Sequence, residues 1–383
     1  MKFLSIVSLF LLVTTLTNTV EAGLFKRKKP PIVEPGPAPV VEPGPAPVVE
    51  PGPVVEDQDS IERRKKPKEP EVPVHPPIYN YGYWFPTYLE DYMKLVDQAP
   101  ATQAATAGGE AKCMPMFKNP ITNGVMDIRY ALGYFDDSQG IDIIYNNFNY
   151  GLSPSLDIEI FKVLRGFFTK KCEGTHVLCG FQESGDPAQG KLVYEKKIIL
   201  FAKEVTVRMT MTQASASDSF VENKSTLKER QDFLTKQSEE NYFGGLGIAD
   251  IVFYNGHSRN GGGPDFNPPL LGEDLHVNYD GYYKVQRPGI KRVLSQLRTN
   301  PNKDSVIGLF SCFSESHFFD MLTKANPKQR MVLSSDKINY LDSLEASIGY
   351  LEGLLRGQCG QNLADIAKQG DSVKLGFKGF QIR

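Results

Sequence analysis

Residues 248–258 of this 383-residue chain read IADIVFYNGHS, an apolar run that closes on His257. A second apolar run, residues 305–313, reads SVIGLFSCF and reaches Cys312, 55 positions after that histidine. Buried parallel strands have nearly continuous apolar sequences of about this length. Open α/β sheets bind ligands just beyond the carboxyl ends of their strands. The two runs therefore predict an imidazole and a thiol side by side at one sheet edge.

His257 and Cys312 together are the smallest set of side chains that can form an activated cysteine nucleophile. In such a pair the thiolate attacks, and the imidazole activates it or protonates the leaving group. The loop 261–264 after the histidine reads GGGP, which allows close approach of a substrate backbone. The alternatives, which stay open at this point, are a structural histidine and a buried cysteine that packs as a small apolar side chain.

The sequence predicts no metal and no cofactor. Cys312 and His317, with His257 and His276 elsewhere, lack the clustered ligand spacing of zinc sites. The formal net charge is -2 and the isoelectric point is about 6.3. Nucleic-acid-binding domains are usually basic, so no nucleic-acid partner is predicted.

The rest of the region predicted to fold alternates between the apolar–polar alternation of β-strands and the roughly 3.6-residue hydrophobic period of α-helices. Strands are expected at 125–134, 141–148, 175–181 and 331–334, and residues 192–212 are strand-rich, with a bend at Lys203-Glu204. Helices are expected at 86–98, 155–171, 225–242, 288–297, 316–324 and 342–356. Alternating strands and helices predict an α/β fold, with a mainly parallel sheet covered by helices on both faces.

The two strand ends resemble those of the caspase, legumain, clostripain and gingipain group of cysteine peptidases. In that group the catalytic His follows one hydrophobic strand and the catalytic Cys follows the next. Caspases separate the two by about 50 residues, which is compatible with the interval here. The resemblance covers roughly residues 125–370 and implies a caspase-like fold.

The same resemblance implies the roles of individual residues. Cys312 matches the family nucleophile and His257 the family base. The main-chain N–H groups of Ser258 and Cys312 would form the oxyanion hole. Ser258 stands where the family usually has glycine, and the caspase signature Gln-Ala-Cys is replaced by Phe310-Ser311-Cys312.

Residues 1–22 have the features of an export signal. Lys2 supplies the positive start, residues 3–13 the apolar segment, and Val20 and Ala22 the small residues before a cleavage site. We therefore predict a secreted or periplasmic protein that begins at Gly23, the alternative being an uncleaved anchor. The apolar segment is too short for an ordinary membrane span, and no transmembrane span is predicted after signal removal.

Residues 23–76 predict a disordered, proline-rich linker. The octapeptide VEPGPAPV occurs at 33–40 and again at 41–48. This composition cannot bury enough apolar surface to offset the cost of ordering. Basic clusters at 26–29 and 63–66 flank the repeats. They either contact an anionic cell-envelope surface or keep the linker soluble.

Residues 77–124 form a transitional, aromatic-rich segment before a predicted domain at 125–383. Its aromatic cluster either packs the incoming chain onto the domain or forms a carbohydrate-binding or partner-binding patch.

The chain has five cysteines, so at least one has no partner within the chain. Cys312 is the natural odd one if it is catalytic. Cys172 and Cys179 are close enough in sequence to bridge locally. The alternative is a set of buried cysteines that keep their thiols.

Two functions are consistent with these features. The first is an exported cysteine endopeptidase that uses the His257–Cys312 dyad on a protein or peptide substrate. The second is a non-catalytic caspase-like domain on a proline-rich arm that binds a protein or a cell-envelope component. Ser258, Phe313 and the lack of a compelling third residue favour the second, since Asp280 and Glu315 are weak candidates for that role.

Overall fold

The structure is a computed structural model. It describes residues 81–98, 109, 111–135, 144–145, 148–149, 156–216, 228–268, 288–299, 304–367 and 380–382. The predicted export signal and proline-rich linker lie outside these residues, as do His276 and Asp280. No helix within the described ranges combines the length and apolar character needed to cross a membrane.

The described chain contains helices and strands in alternation. The helices are α1 (Tyr81–Gln98), α2 (Lys118–Asn123), α3 (Leu156–Thr169), α4 (Lys228–Ile248), α5 (Pro288–Thr299), α6 (Ser314–Ala325), α7 (Tyr340–Leu355) and α8 (Gly360–Ala367). The strands are β1 (Val125–Leu132), β2 (Ile144–Tyr145), β3 (Phe148–Asn149), β4 (Gln182–Ser184), β5 (Lys191–Leu200), β6 (Lys203–Gln213), β7 (Ile251–Asn255), β8 (Val306–Phe310), β9 (Arg330–Ser334) and β10 (Phe380–Ile382).

Eight of these strands form one mixed sheet in the order β10-β9-β8-β7-β1-β6-β5-β4. The pairings from β9 through β8, β7 and β1 to β6 are all parallel. β10 is antiparallel to β9, and β5 is antiparallel to both β6 and β4. The strand β7, which leads to His257, therefore lies between β1 and β8 in the parallel part of the sheet.

Each face of the sheet carries its own hydrophobic core. Along β7, Ile251 and Phe253 pack in the core that also contains α1, α3, α7 and α8. Val252 and Tyr254 point the other way, into the core made with α4, α5 and α6. Successive strand residues alternate between faces, so a strand that is buried on both sides is apolar at nearly every position. The predicted α/β class, with a mainly parallel sheet and helices on both faces, is confirmed.

The prediction of one continuous strand over 141–148 is wrong for the residues of that range that the structure describes. Residues 144–145 pair with 148–149 as a separate two-stranded ribbon outside the main sheet.

The prediction of a strand at 175–181 is also wrong. The chain there is an irregular loop closed by the Cys172–Cys179 disulfide. Its main-chain groups pair with side chains instead of with a neighbouring strand. The Glu352 carboxylate accepts two N–H groups of the loop, the shorter contact being 2.8 Å, and the Lys196 ammonium donates to two loop carbonyls at 2.8 and 2.9 Å.

Glu352 lies at the centre of a buried cluster of ionisable side chains that also includes His176 and Arg356. Its side chain is fully buried and accepts from Arg356 at 2.6 and 2.7 Å. Burial by itself raises the pKa of Glu352. The neighbouring His176, the Arg356 charge and the Leu178 N–H outweigh burial, so the pKa lies below its ordinary value. The carboxylate is therefore ionised inside the protein and ties α7 to the loop.

The folded core extends N-terminal to the predicted boundary at Val125. Five apolar side chains of α1 are buried in the first core: Phe85, Leu89, Tyr92, Met93 and Val96. A second disulfide, Cys113–Cys359, joins the segment before α2 to the segment before α8. Residues 85–96 therefore belong to the body of the domain.

Candidate active site

The two predicted strand ends meet at one edge of the sheet. β7 and β8 are parallel neighbours, and Asn255 lies opposite Phe310 in their register. One residue further on, the Gly256 N–H donates to the Phe310 carbonyl at 3.3 Å. The last matched pair is Asn255 and Phe310. His257 comes two residues after Asn255, and Cys312 comes two residues after Phe310. The predicted placement of both residues at the carboxyl edge of neighbouring parallel strands is confirmed, while their catalytic roles stay predictions.

The His257 imidazole is held by the segment that follows β1. Its Nε2 lies 3.0 Å from the main-chain oxygen of Phe135. That segment is fixed to β7, because the Gly133 N–H donates to the Asn255 carbonyl at 2.8 Å. A carbonyl oxygen only accepts, so Nε2 carries the proton and Nδ1 of the neutral ring is the acceptor. The contact therefore selects one tautomer and leaves proton transfer to Nδ1.

The group that orients His257 is one that sequence reasoning missed. Asp280 and Glu315 were the candidates, but Asp280 lies outside the described residues and Glu315 stands in the first turn of α6. The observed partner is the main-chain carbonyl of Phe135. Main-chain carbonyls are present at every residue, so no residue type in the sequence signals this contact.

The loop after His257 is folded back on the main chain of Ser258. The Ser258 carbonyl accepts the N–H groups of Gly261 and Gly263 at 3.0 and 2.9 Å. Ser258 is itself buried, with 6% of its surface exposed. The N–H predicted to face an oxyanion therefore belongs to a well-defined turn next to the imidazole.

Tyr254 supports this loop from within the sheet. Its hydroxyl lies 3.0 Å from the His257 carbonyl and 3.1 Å from the Asp265 carbonyl. The ring is buried against the rings of Tyr242 and Phe266. In the sequence Tyr254 is one apolar position of a strand, and only its neighbours in space show the hydroxyl's role.

Two consecutive residues after Ser258 have left-handed backbone. Arg259 and Asn260 have φ angles of 48° and 52°, a region that residues other than glycine rarely adopt. The Arg259 side chain is buried, 3.8 Å from the Asp265 carboxylate. Backbone strain of this kind persists only where the surroundings impose it, and it is concentrated at functional sites.

Cys312 lies between β8 and α6 with its side chain partly exposed. It is outside the two disulfides and keeps its thiol, as the odd cysteine count predicted. The thiol donates to the Ile338 carbonyl at 3.2 Å. In this arrangement the sulfur is therefore directed towards the segment that follows β9.

The turn after Cys312 leads directly into α6. Phe313 has left-handed backbone, with a φ of 51°, and an exposed ring. Its N–H donates to the Asp336 carbonyl at 2.9 Å. Ser314 begins the helix, and its hydroxyl accepts the Ser334 N–H at 2.7 Å. The positive end of the α6 dipole and the segment after β9 therefore both border Cys312.

Ser343 joins the two strand ends from α7. Its buried hydroxyl contacts the Asn255 side-chain oxygen and the Phe310 carbonyl, each at 3.0 Å. These two residues form the last matched pair before His257 and Cys312. Ser343 thus holds the carboxyl ends of β7 and β8 together. Nothing in the sequence around Ser343 indicates this role.

A buried polar network lies behind Phe135. The Asp157 carboxylate accepts the Phe135 N–H at 2.8 Å and the Ser215 hydroxyl at 3.2 Å. The Tyr134 hydroxyl contacts the Gln231 side-chain oxygen. Burial, and then the negative charge of Asp157, raise the pKa of Tyr134, so its hydroxyl keeps its proton.

The described residues show no arrangement for a metal. Among them, no group of three or more His, Cys, Asp and Glu side chains could hold an ion. His317 lies on α6, where its ring contacts the rings of Phe313 and Phe318.

Comparison of the chain with profiles of known protein families, with curated proteins and with solved structures found no match. The assignment of a function therefore rests on the residues at this sheet edge and on their geometry.

Proposed function

We propose that the protein is an exported cysteine endopeptidase of caspase-like type, in which Cys312 is the nucleophile and His257 handles the proton. The observation that carries the proposal is the parallel pairing of β7 and β8, in which both residues follow the same matched pair. Partial exposure of both side chains and the thiol state of Cys312 support it. Export rests on the sequence of residues 1–22.

The chemistry follows from the two side chains. His257 Nδ1 first takes the proton of the Cys312 thiol, and the resulting thiolate attacks the carbonyl carbon of a peptide bond and forms a tetrahedral oxyanion. The main-chain N–H groups of Ser258 and Cys312 donate to that oxyanion. His257 gives its Nδ1 proton to the leaving amine as the carbon–nitrogen bond breaks, which leaves a thioester on Cys312. Water then attacks the thioester and gives one proton to His257 Nδ1. The carbon–sulfur bond breaks, which releases the carboxylic acid and leaves the Cys312 thiolate, and the imidazolium returns its proton to the sulfur.

The Phe135 carbonyl has a defined part in this cycle. It accepts from Nε2 at 3.0 Å, so the ring keeps one orientation while Nδ1 gains and loses a proton. A neutral carbonyl stabilises the imidazolium less than a carboxylate does. The carbonyl therefore orients the ring without adding a negative charge beside it.

The N-terminal region extends the proposal to the location of the enzyme. Residues 23–76 would act as a spacer between the domain and a surface. The basic clusters at 26–29 and 63–66 would contact anionic groups of a cell envelope.

One observation favours the second function, a non-catalytic binding domain. The Cys312 thiol donates to the Ile338 carbonyl, and only a protonated thiol can do so. A thiol that kept this contact would be inert. The exposed Phe313 ring beside it would then be part of a surface that binds a protein or an envelope component.

Peptide cleavage distinguishes the two functions. A mixed peptide library is incubated with the mature protein, and its products are read by mass spectrometry. The peptidase predicts cleavage by the wild type and none by Cys312→Ala or His257→Ala. The double variant should be little worse than either single variant, because the two residues act as a unit.

Chemical labelling checks the thiol independently of substrate choice. Iodoacetamide should modify Cys312 in the folded, disulfide-intact protein, and His257→Ala should slow the reaction. Cleavage retained by Cys312→Ala would refute the mechanism. A wild-type protein that cleaves nothing, and whose Cys312 reacts at the same rate with and without His257, would contradict the peptidase and favour the binding domain instead.

A further inference from the structure

One buried carboxylate is joined to the candidate site through a single residue. Phe135 donates its N–H to Asp157 Oδ1 at 2.8 Å, and its carbonyl oxygen lies 3.0 Å from His257 Nε2. We propose that Asp157 is a positioning residue for the His257 imidazole and acts on it through the main chain of Phe135. The proposal deepens the proposed function, since it rests on His257 being the proton-transfer group of that site.

Asp157 is itself firmly placed. It stands in the first turn of α3, a helix of 14 residues, and is 7% exposed. The flanking Leu156 and Ile160 are buried in the first core and anchor that turn. A carboxylate is stabilised near a helix N-terminus, and its second oxygen accepts the Ser215 hydroxyl at 3.2 Å. The acceptor presented to Phe135 is therefore rigid and charged.

Phe135 transmits the restraint because its two main-chain groups lie on successive peptide planes. Its N–H is held by Asp157 and its carbonyl faces His257. Its side chain is 6% exposed and packs in the first core, with the ring centroid 6.3 Å from that of His257. A rotation about the Phe135 backbone that moved the carbonyl would break either the bond to Asp157 or the packing of the ring. The direction of the carbonyl is therefore set by Asp157.

The surroundings make the charge of Asp157 important as well as its shape. The charge of Asp157 raises the pKa of Tyr134, while the positive charge of Arg259 opposes this. Tyr134 precedes Phe135, and Arg259 follows Ser258. Charge-assisted hydrogen bonds are stronger than neutral ones. An amide in place of the carboxylate would keep the shape of the side chain and weaken its hydrogen bond with the Phe135 N–H.

A structural role alone and a positioning role make different predictions about the imidazole. If Asp157 only stabilises the fold, a folded variant should keep the His257 ring as it is. If Asp157 positions the ring, the variant should change the tautomer and the reactivity of the pair while remaining folded.

The experiment compares Asp157→Asn with Glu159→Gln in the full mature chain. Glu159 is the matched control, because it is a carboxylate in the same helical turn that pairs with Lys162 at 2.6 Å. The first readout is nitrogen NMR of the imidazole, which reports the tautomer of His257 without any substrate. The wild type and Glu159→Gln should show the Nε2–H tautomer, and Asp157→Asn should show a mixture of tautomers.

The second readout is the rate at which iodoacetamide modifies Cys312. Asp157→Asn should lower that rate by about tenfold, towards the rate of His257→Ala, because small misplacements of reacting groups cost up to about a hundredfold. If Asp157→Asn does not fold, Asp157→Glu replaces it and should give the same mixture of tautomers, because the longer side chain moves the acceptor.

An unchanged His257 tautomer in folded Asp157→Asn would overturn the proposal, as would an equal effect of Glu159→Gln. Failure of the proposed function looks different. A wild type that cleaves no peptide, yet shows the Nε2–H tautomer and its loss in Asp157→Asn, would remove the peptidase function and keep the positioning role.

Discussion

Gly256 is the residue where a single added methyl group should damage the site most directly. A Cβ on Gly256 would lie 2.6 Å from the Tyr254 hydroxyl oxygen and 2.8 Å from Tyr254 Cζ, whereas real Cβ contacts stay above 3.0 Å. The Tyr254 ring would have to move by at least about 0.4 Å, the difference between these two contact limits. It has little room to do so, because it is buried against Tyr242 and Phe266.

Gly256→Ala should therefore act on stability and on the site together. Forcing an extra methyl group into a packed interior costs about 1–3 kcal/mol. The displaced Tyr254 hydroxyl is the group that holds the His257 carbonyl at 3.0 Å. We expect urea unfolding to show a loss of about 2 kcal/mol. We also expect the rate of Cys312 alkylation to fall towards that of His257→Ala.

Gly244→Ala is the matched control. Gly244 lies in α4, and a Cβ there would meet nothing within 4 Å. Alanine in an open helical position stabilises by about 0.5–1 kcal/mol relative to glycine. The steric reasoning is refuted if Gly256→Ala unfolds within about 0.5 kcal/mol of the wild type, or if Gly244→Ala is equally destabilised.

Three further outcomes are expected. Glu352→Gln should cost about 3 kcal/mol in urea unfolding, because it leaves the buried Arg356 without its closest charge partner; Glu204→Gln, which breaks an exposed pair with Lys197, should change little. The pKa of Glu352 is depressed, so its stabilisation is present above about pH 4.5 and is lost as the pH falls below that value. Unfolding titrations of the wild type should show this loss, and those of Glu352→Gln should lack this contribution. A shortened chain that starts at residue 78 should melt at the temperature of the mature protein, and a clear drop in calorimetry would contradict the prediction that residues 23–76 do not pack on the domain.

The fold class and the placement of His257 and Cys312 at one edge of the sheet were predictable from the sequence. Residues 251–255 and 306–310 are buried, and such strands are apolar at nearly every position, which leaves an almost continuous signature in the sequence; Asn255 is the polar exception and contacts Ser343. His257 and Cys312 stand just after these signatures. Parallel strands end at a common edge, so the local pattern was sufficient to predict that the two residues share it.

The surroundings of those two residues depended on contacts between distant parts of the chain. Cys113 bridges to Cys359 across 246 residues, and Ser343 contacts Asn255 from 88 residues away. The loop 172–181 is not a strand, because side chains from β5 and α7 bind its main chain. Local residue preferences carry no information about such partners, so two predicted strands failed or were mislocated.

The orientation of His257 is the clearest case of what the tertiary structure alone decided. Its partner is the Phe135 carbonyl, and that carbonyl is directed by Asp157 from helix α3. In the sequence, Asp157 is an ordinary acidic residue in the first turn of a helix, where most such residues face solvent. Only packing of α3 against the sheet buries it and turns its carboxylate to Phe135. The sequence by itself determined which chemical groups reach the sheet edge, and the tertiary structure determined how they are held there, because main-chain acceptors and buried carboxylates acquire their roles only from their neighbours in space.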